Sequence, residues 1–511
     1  MAIARELPDI AARLRETAAA APDRVALRWQ DRSLTYGELD ARVDAAAGAL
    51  QHLGVVAGDR VAVVLGNVPA FVEAHFGALR AGAAVVPLNT GLTSDELRHA
   101  LEDSGARVVV GMAAVADVLL ELRDELPDLE HVVVAGGDAG VEIPAPRWRD
   151  LLAEGRRATE GERRPDDLAA LVYTSGTTGR PRGAMLTRAN LAANQDQSLA
   201  GRFRIEATDT VLLVLPLFHI YALNVGLGTC VRVGATMALV ERFDPVGSLD
   251  EIRRHEVTIV LGAPPMYVAW LNVPGDGDPM ATVRLAVSGA APLPRPVLDR
   301  FRERFGITIE EGYGLTEAAP SVTSNSTAPE PRAGTVGMPL PGIELRLVDE
   351  AGLDVDTGDP GEVWVRGRNV FVGYWNDPEA TAAALTPDGW LRTGDVGVCD
   401  GDGYLRLVDR KQDLIIVSGF NVYPGEVERV LYQHDAVAEC AVVGVAHPYT
   451  GEAVKAFVVP REGAEVSEDD IVAFSRSLLA RYKCPASVEV VTELPHTATG
   501  KVRRAALRDR P

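Results

Sequence analysis

Short apolar runs that alternate with helical patterns are the feature that most constrains the fold of this chain. The runs RVAVVL (60–65), AAVVPL (83–88) and ARVVVG (106–111) each precede a segment with the apolar spacing of a helix. Similar runs recur at AALVYT (169–174) and RLAVSG (284–289). Strands that alternate with helices in this way are typical of parallel, doubly wound sheets. The sequence therefore predicts an α/β fold.

Two later segments depart from this alternation. Between about 333 and 409 the apolar runs become shorter and Gly and Asp more frequent, which predicts a β-rich subdomain. From about 413 onward, strands at 438–445 and 455–460 and a helix near 468–480 predict a compact α+β unit. A chain of 511 residues is too long for one ordinary domain. We therefore expect a large N-terminal region and a small C-terminal one.

Composition excludes several classes of function. A formal net charge of −21 argues against binding to nucleic acid or to an anionic membrane. Four cysteines without a CxxC motif predict reduced thiols and no zinc site. The first 20 residues lack the apolar core of a signal peptide, which predicts a cytoplasmic protein. The apolar stretch 211–231 includes Pro216, His219 and Asn224, so we expect a buried strand and helix there, with no transmembrane segment.

The segment YTSGTTGRPRGAM (173–185) combines hydroxyl side chains, glycines and arginines directly after an apolar run. Backbone N–H groups in a glycine-rich turn at a helix start bind phosphate, and hydroxyls add donors. Arg182 adds a charged donor fork that suits phosphate. The composition alone fits a flexible surface loop equally well. A helical pattern that starts near Thr187 favours phosphate binding.

Other nucleotide and nucleophile motifs are missing from the sequence. Gly176 and Gly179 fail the spacing of a P-loop, and the Gly500–Lys501 pair is followed by Val502. The sequence contains neither GxGxxG nor GxSxG. These observations exclude P-loop kinases, dinucleotide-binding dehydrogenases and serine hydrolases of the common types.

Five segments in order resemble the motifs of the adenylate-forming enzyme superfamily. They are YTSGTTGRPRGAMLT (173–187), GYGLTE (312–317), WLRTGD (390–395), DRKQDLIIVSGFNVYPGEVE (409–428) and TATGKVRR (497–504). Within the superfamily, the chain most resembles acyl-CoA synthetases, namely fatty-acid–CoA ligases and 4-coumarate–CoA ligases. The five segments span most of the chain, which makes the resemblance more specific than any single motif.

The resemblance implies a reaction and a domain organisation. A small-molecule carboxylic acid first attacks ATP, with Mg²⁺, to form an acyl-adenylate, and coenzyme A then displaces AMP to give a thioester. An N-terminal adenylate-forming domain (1–409), a hinge (410–412) and a mobile C-terminal domain (413–511) are expected. A homodimer is also possible for such an enzyme.

The resemblance also implies roles for particular residues. Thr316 and the Mg²⁺-associated Glu317 are expected at the α-phosphate, and Lys501 is the expected catalytic cation. The expected ribose ligands are Asp395 and Arg410. The remaining nucleotide contacts implied are Thr174, Ser175, Gly176, Thr177, Thr178 and Arg182 for phosphate, and Ala290, Gly312 and Tyr313 for adenine.

Coenzyme A is expected to contact Ser418, Gly419 and Phe420, with Arg242 near its nucleotide end. Two positions depart from the family pattern. Arg182 stands where relatives usually have lysine, and Gln412 stands at the hinge where they usually have Lys or Asp. These departures bear on pyrophosphate release and on domain rotation, while the reaction type stays the same.

The predicted acid-binding residues are His219, Tyr221, Val225 and Val287. The two valines replace a serine and a lysine of the coumarate ligases, which removes partners for a phenolic hydroxyl. We therefore expect a medium- or long-chain fatty acid as substrate. An aryl- or cinnamate-type CoA ligase, a fatty-acyl-AMP ligase that acts on a carrier protein, and a degenerate nucleotide-binding regulator remain as alternatives.

Overall fold

The computed structural model describes residues 10–137, 143–159, 161, 163–174, 180–202, 204–275, 277–418, 420–497 and 501–508. The strands, in chain order, are β1 (Val25–Trp29), β2 (Arg32–Thr35), β3 (Arg60–Val64), β4 (Ala84–Pro87), β5 (Val108–Met112), β6 (His131–Ala135), β7 (Leu168–Thr174), β8 (Arg182–Thr187), β9 (Thr210–Leu213), β10 (Thr236–Leu239), β11 (Ile259–Gly262), β12 (Leu285–Ser288), β13 (Ile309–Gly314), β14 (Ser321–Ser324), β15 (Met338–Pro339), β16 (Glu344–Val348), β17 (Gly361–Arg366), β18 (Leu391–Cys399), β19 (Leu405–Arg410), β20 (Ile415–Val417), β21 (Phe420–Val422), β22 (Val437–His447), β23 (Gly451–Pro460) and β24 (Ser487–Val490).

The α-helices, in chain order, are α1 (Ile10–Ala20), α2 (Tyr36–His52), α3 (Pro69–Ala81), α4 (Ser94–Ser104), α5 (Ala116–Glu125), α6 (Trp148–Ala153), α7 (Arg188–Leu199), α8 (Thr229–Val233), α9 (Pro245–Arg254), α10 (Pro264–Asn272), α11 (Arg295–Phe305), α12 (Pro378–Ala384), α13 (Pro424–Leu431), α14 (Glu468–Leu478) and α15 (Arg504–Arg508). Short 3-10 helices lie at Ala113–Val115, Thr316–Ala318, Asn325–Thr327, Lys411–Asp413 and Arg481–Lys483, and a π-helix lies at Tyr221–Gly228.

Two large sheets form most of the N-terminal region. One has the strand order β6-β5-β3-β4-β7-β8, and the other has the order β15-β14-β13-β12-β11-β9-β10-β1-β2. The central strands of both sheets are parallel, and antiparallel strands lie at their edges. In β3, Val61 and Val63 pack into one apolar core, while Ala62 and Val64 pack into another. Both faces of that sheet are therefore covered, which explains the continuous apolar runs of its strands. The predicted α/β fold is confirmed.

Local sequence signals determine where several of the helices begin and end. Thr35 and Glu38 form a reciprocal capping box at the start of α2, and Thr93 and Glu96 form another at the start of α4. Gly105 ends α4 in the left-handed conformation that glycine adopts without a steric penalty. These caps satisfy backbone groups that the helix itself leaves unpaired.

Two smaller sheets follow. Strands β16-β17-β18-β19 form an antiparallel sheet, in the segment where the sequence predicts short β runs. Buried and half-buried residues alternate along β17, as expected for a strand with one face on a core. The C-terminal region holds the sheet β21-β20-β23-β22, with β24 beside β23, and helices α13 to α15.

Two predictions along the chain have different outcomes. The helix expected near Thr187 begins at Arg188, but the hairpin partner β8 stands between it and the phosphate loop. The idea that the loop opens directly into a helix is therefore wrong, because residues 182–187 pair with β7. The segment 211–231 is a buried strand followed by buried helix, as predicted. Across the described ranges, no helix is both long and apolar enough to cross a membrane.

Candidate active site

A cavity of about 980 Å³ opens at the carboxyl ends of β12 and β13, the edge of a parallel sheet where ligands commonly bind. It brings together most of the site residues predicted from sequence. Those that line it are Thr174, Arg182, His219, Tyr221, Val225, Val287, Ala290, Gly312, Tyr313, Thr316, Glu317, Arg410 and Lys501. One cavity thus receives side chains from the large sheets, from β19 and from the C-terminal region.

Other predicted residues do not line this cavity. Arg242 and Phe420 are exposed, and the ring of Phe420 packs against Tyr482 with centroids 4.8 Å apart. Ser418 lies in a turn with a φ of 52° and also stays outside the cavity. The predicted positions Ser175, Gly176, Thr177, Thr178 and Gly419 lie outside the described residues.

Asp395, the predicted ribose ligand, is buried and does not itself line the cavity, but it lies behind Tyr313, which does. The Tyr313 hydroxyl donates to Asp395 Oδ2 at 2.6 Å, and Arg410 Nε lies 3.2 Å from Asp395 Oδ1. Pairing between β18 and β19 places Asp395 opposite Arg410. Burial raises the pKa of Tyr313, so this hydroxyl keeps its proton and remains a donor. An ionised carboxylate offers about four acceptor positions, which leaves capacity for ligand hydroxyls.

Glu317 lies at the phosphate end of the cavity. Its carboxylate Oε1 accepts a hydrogen bond from the Tyr374 hydroxyl at 2.8 Å, and burial raises the pKa of Glu317. Arg182 Nε forms an ion pair with Asp377 Oδ2 at 2.9 Å, with its guanidinium 5.8 Å from the centroid of the Tyr374 ring. The sequence reasoning missed Tyr374 and Asp377, which lie in none of the five quoted motifs.

The residues present fit a magnesium ion that is shared with the nucleotide. In the part of the chain that the structure describes, no cluster of three or more His, Cys, Asp or Glu side chains could hold a metal alone. Mg²⁺ is commonly bound through one or two carboxylates together with substrate phosphates. The buried carboxylate of Glu317 beside the cavity suits this arrangement, because a dication would compensate its burial.

Lys501 reaches the cavity from the C-terminal region. Its backbone closes a turn with Thr497, since Thr497 N donates to Lys501 O at 2.8 Å and Lys501 N donates to Thr497 Oγ1 at 3.1 Å. Burial, and then the nearby charge of Arg410, lower the pKa of Lys501 to about 8. Within the described ranges no carboxylate forms an ion pair with Lys501, so its charge can serve a ligand.

Arg504, three residues after Lys501, is held by carboxylates from several segments. Its Nη2 lies 2.8 Å from Glu428 Oε2, and its Nη1 lies 3.1 Å from both Asp409 Oδ1 and Asp413 Oδ2. Asp409 and Asp413 lie on either side of the predicted hinge 410–412. Arg504 is part of the motif TATGKVRR (497–504), but the sequence does not predict that these carboxylates surround it.

The rest of the cavity is a channel with mainly neutral walls. Tyr221, Val225 and Thr229 are four residues apart on one face of the helix that begins with the π-turns, and all three line the channel. Val287 and Leu285 line it from one face of β12. A methyl group in place of the Gly289 hydrogen would lie only 3.0 Å from the Tyr221 ring, so glycine allows that ring to pack there. Burial lowers the pKa of His219 to about 4 and keeps its imidazole neutral.

Comparisons with known proteins agree with this architecture. The sequence profile described as AMP-binding enzyme matches residues 14–375, and that of the AMP-binding enzyme C-terminal domain matches residues 426–501. A feruloyl-CoA synthase from Amycolatopsis sp is 39% identical, over 96% of each chain. A long-chain-fatty-acid–CoA ligase from Bacillus subtilis is 36% identical, over 97% of this chain and 93% of its own. The crystal structure of ATP-bound MatB from Rhodopseudomonas palustris superposes with a TM-score of 0.91 at 33% identity, over 98% of each chain.

The family matches and the relatives together identify an AMP-forming acid–CoA ligase. The chain belongs to the AMP-binding enzyme family and is an ATP-dependent acyl-CoA synthetase. It uses ATP with Mg²⁺ and coenzyme A, and it acts on a small-molecule carboxylic acid.

Proposed function

We propose that this ligase activates medium- or long-chain fatty acids. The observation that carries the proposal is the largely apolar part of the cavity, which Tyr221, Val225, Val287 and Leu285 line together with Thr229, with Arg204 as a charged residue of the same lining. Each buried methylene contributes about 0.8 kcal/mol to the free energy of binding. A channel lined mainly by apolar groups therefore binds an alkyl chain more tightly as more of the chain is buried in it.

The depth of the channel supports a chain of roughly medium length. From Gly289 to Leu285, β12 spans four residues, or roughly 13 Å at about 3.3 Å per residue. A zigzag alkyl chain with C–C bonds of about 1.5 Å advances roughly 1.3 Å per carbon, so this depth matches about ten carbons.

A phenolic hydroxyl placed between Val225 and Val287 would find few hydrogen-bond partners there. The hydroxyls of Tyr221 and Tyr267 both donate to the Val287 carbonyl, at 3.4 Å and 2.8 Å. A phenol hydroxyl beside Val225 and Val287 would lose its hydrogen bonds to water without replacement, at a cost of about 1–3 kcal/mol. The second candidate is nevertheless an aryl acid, because a feruloyl-CoA synthase is as similar to this chain as a long-chain-fatty-acid–CoA ligase is.

The first half-reaction forms the acyl-adenylate. A carboxylate oxygen of the acid attacks the α-phosphorus of ATP, and pyrophosphate leaves. Lys501 and Thr316 stabilise the charge that develops between the carboxylate and the α-phosphate. Arg182 and the loop 174–178 bind the β- and γ-phosphates, and Glu317 holds the magnesium ion. Asp395 and Arg410 orient the ribose, beside an adenine slot formed by Ala290, Gly312 and Tyr313.

The second half-reaction transfers the acyl group to coenzyme A. The thiol attacks the acyl carbon and AMP leaves. For this step the C-terminal domain (413–511) rotates about residues 410–412 and presents the coenzyme A residues Ser418, Gly419 and Phe420 in place of Lys501. Arg242 contacts the nucleotide end of coenzyme A, and His219 lies at the mouth of the acid channel.

The test is a panel of acids with the wild-type enzyme. We expect kcat/KM for thioester formation to rise across even-numbered saturated acids to about C10 and then level, with benzoate, cinnamate and 4-coumarate below the plateau. Pyrophosphate exchange without thioester formation would instead indicate a ligase that serves a carrier protein. Inactivity in both assays would favour a regulator. A preference for 4-coumarate over every fatty acid would replace the fatty acid with the aryl candidate.

A further inference from the structure

The ion cluster around Arg504 lies outside the chemistry described above. Its donors and acceptors come from three segments: Arg504 from α15, Glu428 from α13, and Asp409 and Asp413 from the two sides of residues 410–412. Asp409 has a side chain only 2% exposed and also accepts a hydrogen bond from Gly425 N at 2.6 Å. A cluster buried to this degree fixes the relative position of the segments it joins, because a carboxylate left unpaired there would be costly.

Two chains of contacts leave this cluster toward the active site. Arg504 follows Lys501 by three residues, and the intervening Val502 pairs with His496 in an isolated β-bridge. Arg410 directly follows Asp409 and pairs with Asp395, the predicted ribose ligand. The cluster therefore joins the backbone that carries Lys501 to the backbone that carries Arg410.

We propose that Arg504 is a positioning residue for Lys501, and that Asp409, on the far side of residues 410–412, is its fixed point. In this arrangement Arg504 and Asp409 form a clamp across residues 410–412 that holds Lys501 in the cavity for adenylate formation, while Asp413 and Glu428 hold Arg504 from its own side of those residues. The contact from Arg504 to Asp409 crosses those residues, so the clamp must open if the C-terminal domain rotates. This inference rests on the proposed two-step function.

Glu428 provides a matched control within the same cluster. It bonds to Arg504 as Asp409 and Asp413 do, but it lies on α13 and does not flank residues 410–412. The isosteric variants D409N, D413N and E428Q each remove one charge next to Arg504. A purely structural cluster would respond alike to all three substitutions, whereas a clamp would not.

The experiment measures each half-reaction of the full-length enzyme separately, together with thermal unfolding. We expect D409N to slow adenylate formation about tenfold while thioester formation from supplied acyl-adenylate stays within twofold. D413N and E428Q, whose carboxylates lie on the same side of residues 410–412 as Arg504, should lower the unfolding temperature and change both half-reactions by a similar small factor. R504K keeps the charge but cannot bond to several carboxylates at once, so it should behave like D409N. Equal losses in both half-reactions for D409N, or an E428Q profile like that of D409N, would overturn the clamp.

A pH profile gives a readout that stability alone would not move. The carboxylates of Asp395 and Asp413 raise the pKa of Lys501, against the larger lowering by burial and by Arg410 and a further lowering by Arg504. D413N should therefore shift the alkaline fall in adenylate formation to lower pH, while E428Q leaves it in place. An unshifted fall in D413N would mean that Lys501 is not the group whose charge limits adenylate formation, and the clamp would then have no group to position. Wild-type enzyme without adenylate formation would instead refute the proposed function itself.

Discussion

The nucleotide end and the acid channel of the cavity differ in chemistry. Glu317, Arg410 and Lys501 line the end where we expect the nucleotide, Asp395 lies behind Tyr313 there, and three of these four groups form hydrogen bonds or ion pairs. The part of the cavity around Tyr221, Val225 and Val287 is mainly apolar, and burial keeps the imidazole of His219 uncharged. Charge at one end and apolar contact at the other fit a reaction that changes only the carboxylate of a long substrate.

This difference indicates what each end controls. Electrostatic interactions with developing charge determine the rate of the chemical step, and they are large in a site that excludes water. Apolar contact accumulates in small increments along a chain, so it determines which acid is chosen. Substitutions at the nucleotide end should therefore change the rate of adenylate formation for every acid by a similar factor. Substitutions in the channel should change the ratio of kcat/KM between acids and leave the rate of the chemical step nearly constant.

The largest expected effect comes from Lys501→Ala. Removal of a placed donor to developing charge typically costs on the order of 10² to 10³ in rate, and the loss should fall on adenylate formation. Thioester formation from supplied acyl-adenylate should remain near the wild-type rate. Single-turnover measurement of each step, with decanoate and with octanoate, checks both the size of the loss and its independence of the acid.

A loss that differed between the two acids would show that Lys501 also senses the channel. An equal loss in both half-reactions would mean that Lys501 is not specific to the first one. Lys455 offers a matched control, since it is a lysine of the same C-terminal region that does not line the cavity and forms a partly buried ion pair with Glu489 at 3.0 Å. Lys455→Ala should leave both steps close to the wild-type rates.

The same contrast explains how much could be predicted from the sequence. Strand runs such as RVAVVL and the GYGLTE motif report local pattern and backbone chemistry, and both the fold class and the grouping of Gly312, Thr316 and Glu317 follow from them. The depth of the acid channel depends on how β12 and a π-helix pack, which no short motif encodes. Tyr374 and Arg504 were missed because their partners lie 57 and up to 95 residues away.

The two ends of the cavity should also differ in pH dependence: the rate of adenylate formation should depend on pH, whereas the ratio between two acids should not. Lys501 is charged below its pKa, which burial lowers to about 8, so kcat/KM for adenylate formation should be constant below pH 8 and fall about tenfold per unit above it. Lys501→Arg should lower the rate but remove this fall, because a guanidinium stays charged. The ratio of decanoate to octanoate should stay constant from pH 6 to 9, since His219 is neutral there. A ratio that changes with pH would contradict a neutral channel.

Gln412→Pro tests the segment between the two halves of the reaction. Residue 412 lies in the 3-10 turn Lys411–Asp413, and proline would fix its φ and restrict the residue before it. We expect thioester formation to slow roughly tenfold and adenylate formation to change less, because only the second step requires rotation about 410–412. Gln412→Ala, without the backbone constraint, is the control. Unchanged thioester formation in a single turnover would remove residue 412 from the hinge.

The smallest expected effect comes from the channel, with Val225→Ser. A serine hydroxyl at position 225, one helical turn after Tyr221, would offer a phenolic acid a hydrogen-bond partner that the native valine does not. Such a hydrogen bond contributes about 0.5–1.5 kcal/mol net. The ratio of kcat/KM for 4-coumarate to that for decanoate should rise roughly two- to tenfold, at about 1.36 kcal/mol per tenfold.

Val233, a half-buried valine of α8 that does not line the channel, supplies the control Val233→Ser, which should leave the ratio unchanged. Rates for an acid too short to reach Val225, such as acetate, should also stay constant in Val225→Ser. A uniform loss for every acid would instead mean that the channel influences the chemical step, and the separation between rate at one end and choice at the other would then fail.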